Sequence, residues 1–300
     1  MNLLENPANG IGDAILFAWL AVHAKAAGID VGLYMDRHHD WVAPVVGVDA
    51  LLTCRSGEAS RDRTKAWEAM CTAEKLMRNR GEAKHRLDAW AKHFGLELDG
   101  FERPVCEIHP HDQAFADEWW ARTATDTKVA SDALRVLVFP ACAWAQRRWP
   151  KAYWIDVAGS LKECGHAVLA MVESDADQKH CGFPFGLWGT TPGQCWAIVA
   201  GADVVLSADT GPAHLAATLG KPVVVAQGPT RAEWVFGHAA DTITSVSGSR
   251  PCTGCDLETE KGFADHCLHG CQSLMDLTPR VLLAAALEVC AEAKAERAIA

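Results

Sequence analysis

The chain has no long apolar run near its start: the stretch Ala14 to Val22 is only nine residues, roughly half of the ~20 that a membrane-spanning helix requires. No spanning helix is expected. The opening MNLLENPANG carries no basic segment ahead of an apolar stretch and no small-residue cleavage site. It therefore does not read as a secretory leader, and the protein is expected in the cytoplasm. Positive charge is also scarce, with 28 Lys and Arg against 38 Asp and Glu for a net charge of −10. Such a balance leaves no chain-wide footprint for nucleic acid or an anionic membrane, so any phosphate must be held by a local site.

What the chain does have is ordinary globular composition, 49% hydrophobic and 22% charged with 24 Gly and 13 Pro, which argues against disorder or a fibrous repeat. Its 300 residues exceed what one hydrophobic core usually supports, so two domains and a cleft are expected. Twelve cysteines are present. Eight are scattered singly, as buried thiols usually are, while Cys252, Cys255, Cys267 and Cys271 crowd together and need a separate explanation.

Strand and helix signals alternate from the start. A first strand over Met1 to Leu4 leads through Gly10 and Gly12 into a helix over Ala14 to Ala27, closed by Gly28 and followed by a strand over Val31 to Met35. Lys65 to Phe94 reads as helix-rich. Residues 122 to 134 turn polar, which places a domain boundary near 130. Beyond it the pattern resumes with a strand over Arg135 to Phe139, a helix ending near Cys164, and a strand from Ala167. A helix over Gln194 to Ala200, a buried strand over Val204 to Ser207, a helix from Pro212 to Leu219 and a strand over Val223 to Ala226 follow. An alanine-rich helix over Pro279 to Ala298 ends the chain. Alternation of this kind implies two doubly wound α/β domains with parallel sheets and a ligand cleft between them. The expected division is 1–130, 131–277 and a terminal helix 278–300.

The most specific segment is Ser207-Ala-Asp-Thr-Gly-Pro-Ala-His-Leu-Ala-Ala-Thr-Leu-Gly-Lys-Pro. It leaves a buried strand and opens a helix, so Thr210 and Gly211 can offer backbone N–H groups to a phosphate, with Pro212 suited to a first helical position. Asp209 would repel phosphate and instead suits sugar hydroxyls, and His214 can donate to either. The alternative reading makes Asp209 and Thr210 simple helix caps.

The run DTGPAHLAATLGKPVVVAQGPT resembles the signature of glycosyltransferase family 9, the heptosyltransferases that use ADP-heptose. Gly10-Ile-Gly-Asp13 resembles the family's first glycine-rich loop, and Arg147-Arg148-Trp149-Pro150 its basic turn. The resemblance implies a GT-B fold of two facing Rossmann-like domains, with the donor on the C-terminal one and the acceptor on the N-terminal one. It further implies an inverting transfer of heptose or a similar sugar from an ADP-sugar to an acceptor hydroxyl. In that scheme Asp13 is the general base, with a helix cap as its alternative, and Arg147 offsets charge on the departing ADP. Gly12, Arg148, Glu173, Asp209, Thr210, Gly211 and His214 complete the donor site, where Ser174 and Asp175 are alternatives to Glu173. No Asp-X-Asp motif is expected at the donor site, so cations of the protein and no catalytic divalent cation are expected to stabilise the leaving group. The acceptor stays open among protein, glycan and small molecule, with a soluble one favoured by the acidic charge, and a homo-oligomer is a further candidate partnership. A nucleotide-binding module without chemistry, or a GT-B enzyme with another nucleotide, are the rivals.

Cys252-Thr-Gly-Cys255 and Cys267-Leu-His-Gly-Cys271 match the spacing of a closed tetrahedral thiolate site for zinc or iron. A four-cysteine iron finger is also found in related heptosyltransferases of autotransporter proteins. Two disulfides or unligated thiols are the alternatives, and His266 and His269 are substitute ligands. Four ligands would leave no open position, which makes such an ion structural.

Overall fold

Helices carry the chain between strands that gather, in the computed structural model, into two separate parallel sheets. The structure describes residues 2–5, 10–36, 42, 51–54, 60–98, 100–101, 103–126, 133–171, 186–187, 189–255, 267 and 270–299. The chain divides into two units, Met1–Glu107 with Glu233–Ala240, and Ile108–Ala232 with Asp241–Ala300.

In the first unit, β1 (Asn2–Glu5) pairs with β2 (Val31–Asp36), and β2 with β3 (Leu51–Cys54), all parallel. Helix α1 (Ile11–Ala26) makes the crossover from β1 to β2. Every residue from Ala14 to Ala21 is buried, which is why this helix reads as a nearly continuous apolar run and not as an amphipathic stripe. Gly28 ends it with φ 76°, a left-handed conformation that glycine adopts without penalty. Helices α2 (Ser60–Arg80) and α3 (Arg86–His93) follow. Phe17 of α1 packs on Trp90 of α3 with ring centroids 4.9 Å apart.

One carboxylate lies inside this unit. Glu74 accepts from Trp90 Nε1 at 2.9 Å, from Trp234 Nε1 at 2.6 Å and from Arg86 Nε at 3.0 Å. Buried charge is tolerated where its lone pairs are met this completely. These bonds moor the returning segment Glu233–Ala240 to a helix 160 residues earlier.

The second unit holds a six-stranded sheet of order β6-β5-β4-β7-β8-β9. Its strands are β4 (Arg135–Phe139), β5 (Ala167–Met171), β6 (Gly186–Leu187), β7 (Val204–Ala208), β8 (Val223–Gln227) and β9 (Ile243–Ser247). Its helices are α4 (Pro110–Asp126), α5 (Lys151–Glu163), α6 (Pro192–Ala200), α7 (Gly211–Thr218), α8 (Gln272–Asp276) and α9 (Pro279–Ile299). Helix α4 was expected on the N-terminal side of a boundary near 130, yet the division falls at 107/108. The reason is Trp120, whose Nε1 donates to Ile198 O at 3.1 Å on α6. The indole sits so close to Gly201 that a Cβ there would come within 2.6 Å of it. The terminal helix α9 likewise belongs to this unit: Leu282, Ala286, Val289 and Cys290 share one core with Trp154, Val157 and Leu161 of α5 and the valines of the sheet.

Strand order fixes where a ligand can sit. The chain winds from β4 toward β6 on one side and from β7 toward β9 on the other, so β4 and β7 are neighbours whose outgoing loops diverge. A crevice opens at the carboxyl ends of such a pair. Among the described residues no helix is long and apolar enough to cross a membrane.

Candidate functional site

The two loops at this switch point bring together residues 62 positions apart. After β4 the chain turns through a short 3-10 helix, Ala145–Arg147. After β7 it passes Asp209 and Thr210 into α7. Arg147 Nη1 donates to Asp209 O at 3.4 Å, and its Nε lies 3.5 Å from Asp209 Oδ2. The guanidinium also stacks over Trp144, 4.9 Å from the ring centroid, a cation–π arrangement that holds the fork in place.

The neighbouring arginine has a different task. Arg148 Nε donates to Cys142 O at 2.7 Å and Nη2 to Ala143 O at 2.8 Å, which closes the loop on itself. Arg147 is therefore the cation that meets Asp209. Trp149 of the same turn is core, with Nε1 donating to Leu277 O at 2.9 Å.

Asp209 is 1% exposed, and its carboxylate does not cap α7. Instead Oδ2 accepts from the Thr230 hydroxyl and lies 3.5 Å from Gln227 Nε2. Thr230 follows β8, the next strand in the sheet. Thr210 occupies the N-cap of α7 with extended backbone, φ −149° and ψ 174°, but makes no side-chain cap bond. Its hydroxyl turns back to Ala208 O at 3.4 Å. The simple capping reading of Asp209 and Thr210 is thus not what the structure contains. Among the described residues the N-cap side chain of Thr210 leaves the first turn of α7 uncapped, and the N–H groups of Thr210 and Gly211 with the helix dipole favour an anion there. Gly211 opens that turn, and His214, buried in its ring, gives its carbonyl to the Thr218 hydroxyl at 2.8 Å.

Asp13 lies in the first unit, in the opening turn of α1 behind the N-cap Gly10, with Gly12 beside it. The carboxylate folds back over the helix start, so a Cβ at Gly10 would come 2.8 Å from Oδ2 and Asp13 would have to turn aside. Cys71 of α2 is a neighbour: its thiol is pushed up to about 11 by burial first and Glu74 second, with Asp13 adding to the same effect. Glu173, Ser174 and Asp175 lie outside the described residues. So does the triplet Asp175-Ala-Asp177, an Asp-X-Asp sequence beside Glu173 that corrects the expectation of none in the donor-site segments.

Cys252, Cys255, Cys267 and Cys271 are all free thiols. Burial is the main cause that pushes the Cys271 thiol up; backbone N–H groups of Leu274 and Ser273 oppose it, and the fields of Cys267 and Cys255 add to it. Among the described residues, no group of three or more His, Cys, Asp or Glu is placed to hold a metal ion. The sulfurs are neighbours without forming a ligand set, and His266 and His269 lie outside the described residues. Their loop is nevertheless tied to the site. Gly254, at φ 68°, donates its N–H to Gly228 O at 3.2 Å, and Arg231 Nε returns a bond to Gly254 O at 3.0 Å. Gly270 lies against the 3-10 turn, where its Cβ would stand 3.8 Å from Ala145 O.

Residues 100–263, more than half of the chain, match the model of glycosyltransferase family 9 (heptosyltransferase). The chain belongs to that family. It is 29% identical over 123 residues to lipopolysaccharide heptosyltransferase 1 of Pseudomonas aeruginosa, a match covering 39% of this chain and 34% of that protein. The shared segment thus spans about a third of the relative's length. Among solved structures, a family 9 glycosyltransferase from Veillonella parvula superposes with TM-score 0.70 at 15% identity, covering 97% of this chain and 96% of its own. The dodecameric iron-containing heptosyltransferase TibC, solved with ADP-D-β-D-heptose, gives TM-score 0.59 at 14% identity, with 97% of this chain and 76% of TibC covered. At such identities the likeness shows the fold: the α/β architecture with parallel sheets that the alternation of strands and helices implied, and the GT-B type that the family resemblance implied.

Within this glycosyltransferase family 9 chain, Trp144 and Gln227 are the site residues that motif reading missed. A signal for the second was present: a lone glutamine closes the otherwise apolar strand Val-Val-Val-Ala.

Proposed function

We propose that the protein is an inverting glycosyltransferase that moves heptose, or a similar sugar, from an ADP-sugar to an acceptor hydroxyl. The observation that carries this reading is the meeting of Arg147 with Asp209 beside the uncapped start of α7. A cation and the backbone N–H groups of Thr210 and Gly211 suit the diphosphate, while a buried carboxylate suits the hydroxyls next to it. Arg147 offsets the charge that grows on the β-phosphate as the sugar's C–O bond breaks. Thr210 and Gly211 present backbone N–H groups to the same phosphates, His214, Gly12 and Glu173 complete the donor site, and Arg148 braces the loop that carries Arg147. Asp13 takes the proton of the acceptor hydroxyl as its oxygen bonds to the anomeric carbon, and ADP departs with the electron pair.

The donor follows the TibC complex, and the cations of the site take the place of a divalent metal. The acceptor is a hydroxyl of a protein, a glycan or a small molecule; the net charge of −10 favours one met away from an anionic surface. A cytoplasmic location agrees with cysteines that form no disulfide among the described residues. The dodecameric neighbour supports testing for a homo-oligomer. Cys252, Cys255, Cys267 and Cys271 are read as a structural zinc or iron site, supported by their spacing, their free thiols and the iron of TibC; binding would draw together sulfurs that form no ligand set here. Thiolates suit either ion, and the ion would stiffen the loop that Gly254 ties to Gly228.

Mass spectrometry of candidate acceptors incubated with ADP-heptose tests the reading. A mass gain of one heptose, slowed about 10²- to 10⁴-fold in Asp13→Asn, is the expected result. ADP-heptose left intact with every acceptor class, or full activity in Asp13→Asn, contradicts it.

A further inference from the structure

Gln227 ends β8 and is 3% exposed. A buried amide is costly unless its polar atoms are engaged, and here one end is engaged three times. Nε2 donates to Thr230 O at 2.9 Å and to Thr230 Oγ1, and it stands 3.5 Å from Asp209 Oδ2. All three neighbours are oxygens that accept. The opposite amide orientation would press a carbonyl oxygen against them, so the network itself assigns the NH₂ end.

This orientation has a consequence one bond further on. Because the Thr230 hydroxyl receives a proton from Gln227, it must give its own to Asp209 Oδ2. Oδ2 is thereby occupied by Thr230, with Arg147 Nε also 3.5 Å away. Asp209 Oδ1 is buried and has no donor among the described residues, and Gln227 Oε1 is in the same condition. Two acceptor oxygens are left open beside a cation. A sugar hydroxyl brings the proton that they lack. A phosphate brings only more acceptors and negative charge, so it belongs at the helix start and not here.

We propose that Gln227 is a positioning residue for the donor sugar: through the Thr230 hydroxyl it fixes the direction of the bond to Asp209 and keeps Oδ1 as an acceptor for a sugar hydroxyl. This rests on the ADP-sugar reading of the site. Gln227 acts on the sugar half of the donor and leaves the ADP half alone.

The test compares Kd for ADP with Kd for ADP-heptose by titration calorimetry in the full chain, for wild type, Gln227→Glu, Thr230→Val and Thr230→Ser. Gln227→Glu keeps the shape of the side chain but replaces the donor with an acceptor and adds a like charge beside Asp209. The gain in affinity that the heptose confers should fall about tenfold in Gln227→Glu and Thr230→Val, the worth of one lost hydrogen bond. In Thr230→Val, which adds no charge, ADP affinity should stay within about twofold, and Thr230→Ser, which restores the hydroxyl, should regain the heptose increment. A merely structural role would weaken ADP and ADP-heptose alike, or leave Thr230→Ser as impaired as Thr230→Val, and either result overturns the proposal. An unchanged increment in both Gln227→Glu and Thr230→Val also overturns it. Wild-type chain that binds no ADP removes the parent reading and this one together, whereas wild type that binds ADP-heptose with variants unaltered removes this one alone.

Discussion

Arg147 reaches Asp209 from the neighbouring strand exit, its Nε 3.5 Å from Oδ2 and its Nη1 donating to the backbone carbonyl of the same residue at 3.4 Å. Both contacts are long for charge-assisted bonds, which run at about 2.7–2.9 Å. The Trp144 ring stacks on the guanidinium, whose N–H groups meet an incoming phosphate under the proposed function.

Arg147 and Arg148 should therefore respond differently to the same change. Arg147→Gln is expected to lower kcat about 10²- to 10³-fold, the usual cost of losing a donor aimed at developing charge. Arg148→Gln releases two loop carbonyls and should cost about 1–3 kcal/mol of stability with kcat within about threefold. Steady-state kinetics with thermal melts on both variants reads the contrast.

Acid should loosen the start of α3. His85 caps that helix by accepting from Asp88 N at 3.2 Å through Nδ1, which requires an unprotonated ring nitrogen. Its pKa is lowered, by burial first; Asp88 opposes the shift, while Lys84 and Lys92 reinforce it. A lowered histidine contributes stability that is present above the ordinary value of ~6.5 and is lost as pH falls through the folded value. Melting temperature should drop as pH is taken below about 6.5, and His85→Asn, which keeps a capping acceptor, should flatten that decline.

Trp234→Phe removes one donor to Glu74 and should cost about 1–3 kcal/mol in urea unfolding. Glu74→Ala strands Arg86 and two indole N–H groups in the core and should cost about 3–5 kcal/mol. Equal losses in the two variants would mean that ring packing of Trp234, and not its bond to Glu74, holds the returning segment.

Elemental analysis of protein purified without added metal should find about one zinc or iron per chain if the four cysteines act together. Cys255→Ser should abolish it and also weaken ADP binding, because Gly254 next to it is bonded to Gly228 at the site. Metal-free protein with full ADP affinity in Cys255→Ser contradicts the reading.

Much of this was legible in the sequence for definite reasons. The βαβ periods, the closing glycines Gly28, Gly165 and Gly220, and the helix start at Gly211 are local features, and each left a local mark. Arg147 and Asp209 came from motifs. The domain boundary did not, because α4 is assigned by Trp120, whose partner Ile198 lies 78 residues away. Distance in sequence also hid the Glu74–Trp234 bond. The sorting of Arg147 from Arg148 depends on backbone carbonyls, which every residue has and no composition reveals. Asp209 and Thr210 looked like caps because their types are those of caps; only the bonds to Thr230 and back to Ala208 show otherwise.

The central claim, that the crevice between β4 and β7 holds ADP, is tested most directly by titration calorimetry of the wild-type chain with ADP and with UDP, repeated for Arg147→Gln. ADP should bind more tightly than UDP, and Arg147→Gln should weaken ADP about tenfold or more, the worth of a charge-assisted bond to phosphate. Absence of ADP binding, tighter binding of UDP, or an Arg147→Gln variant with unaltered ADP affinity would contradict the account.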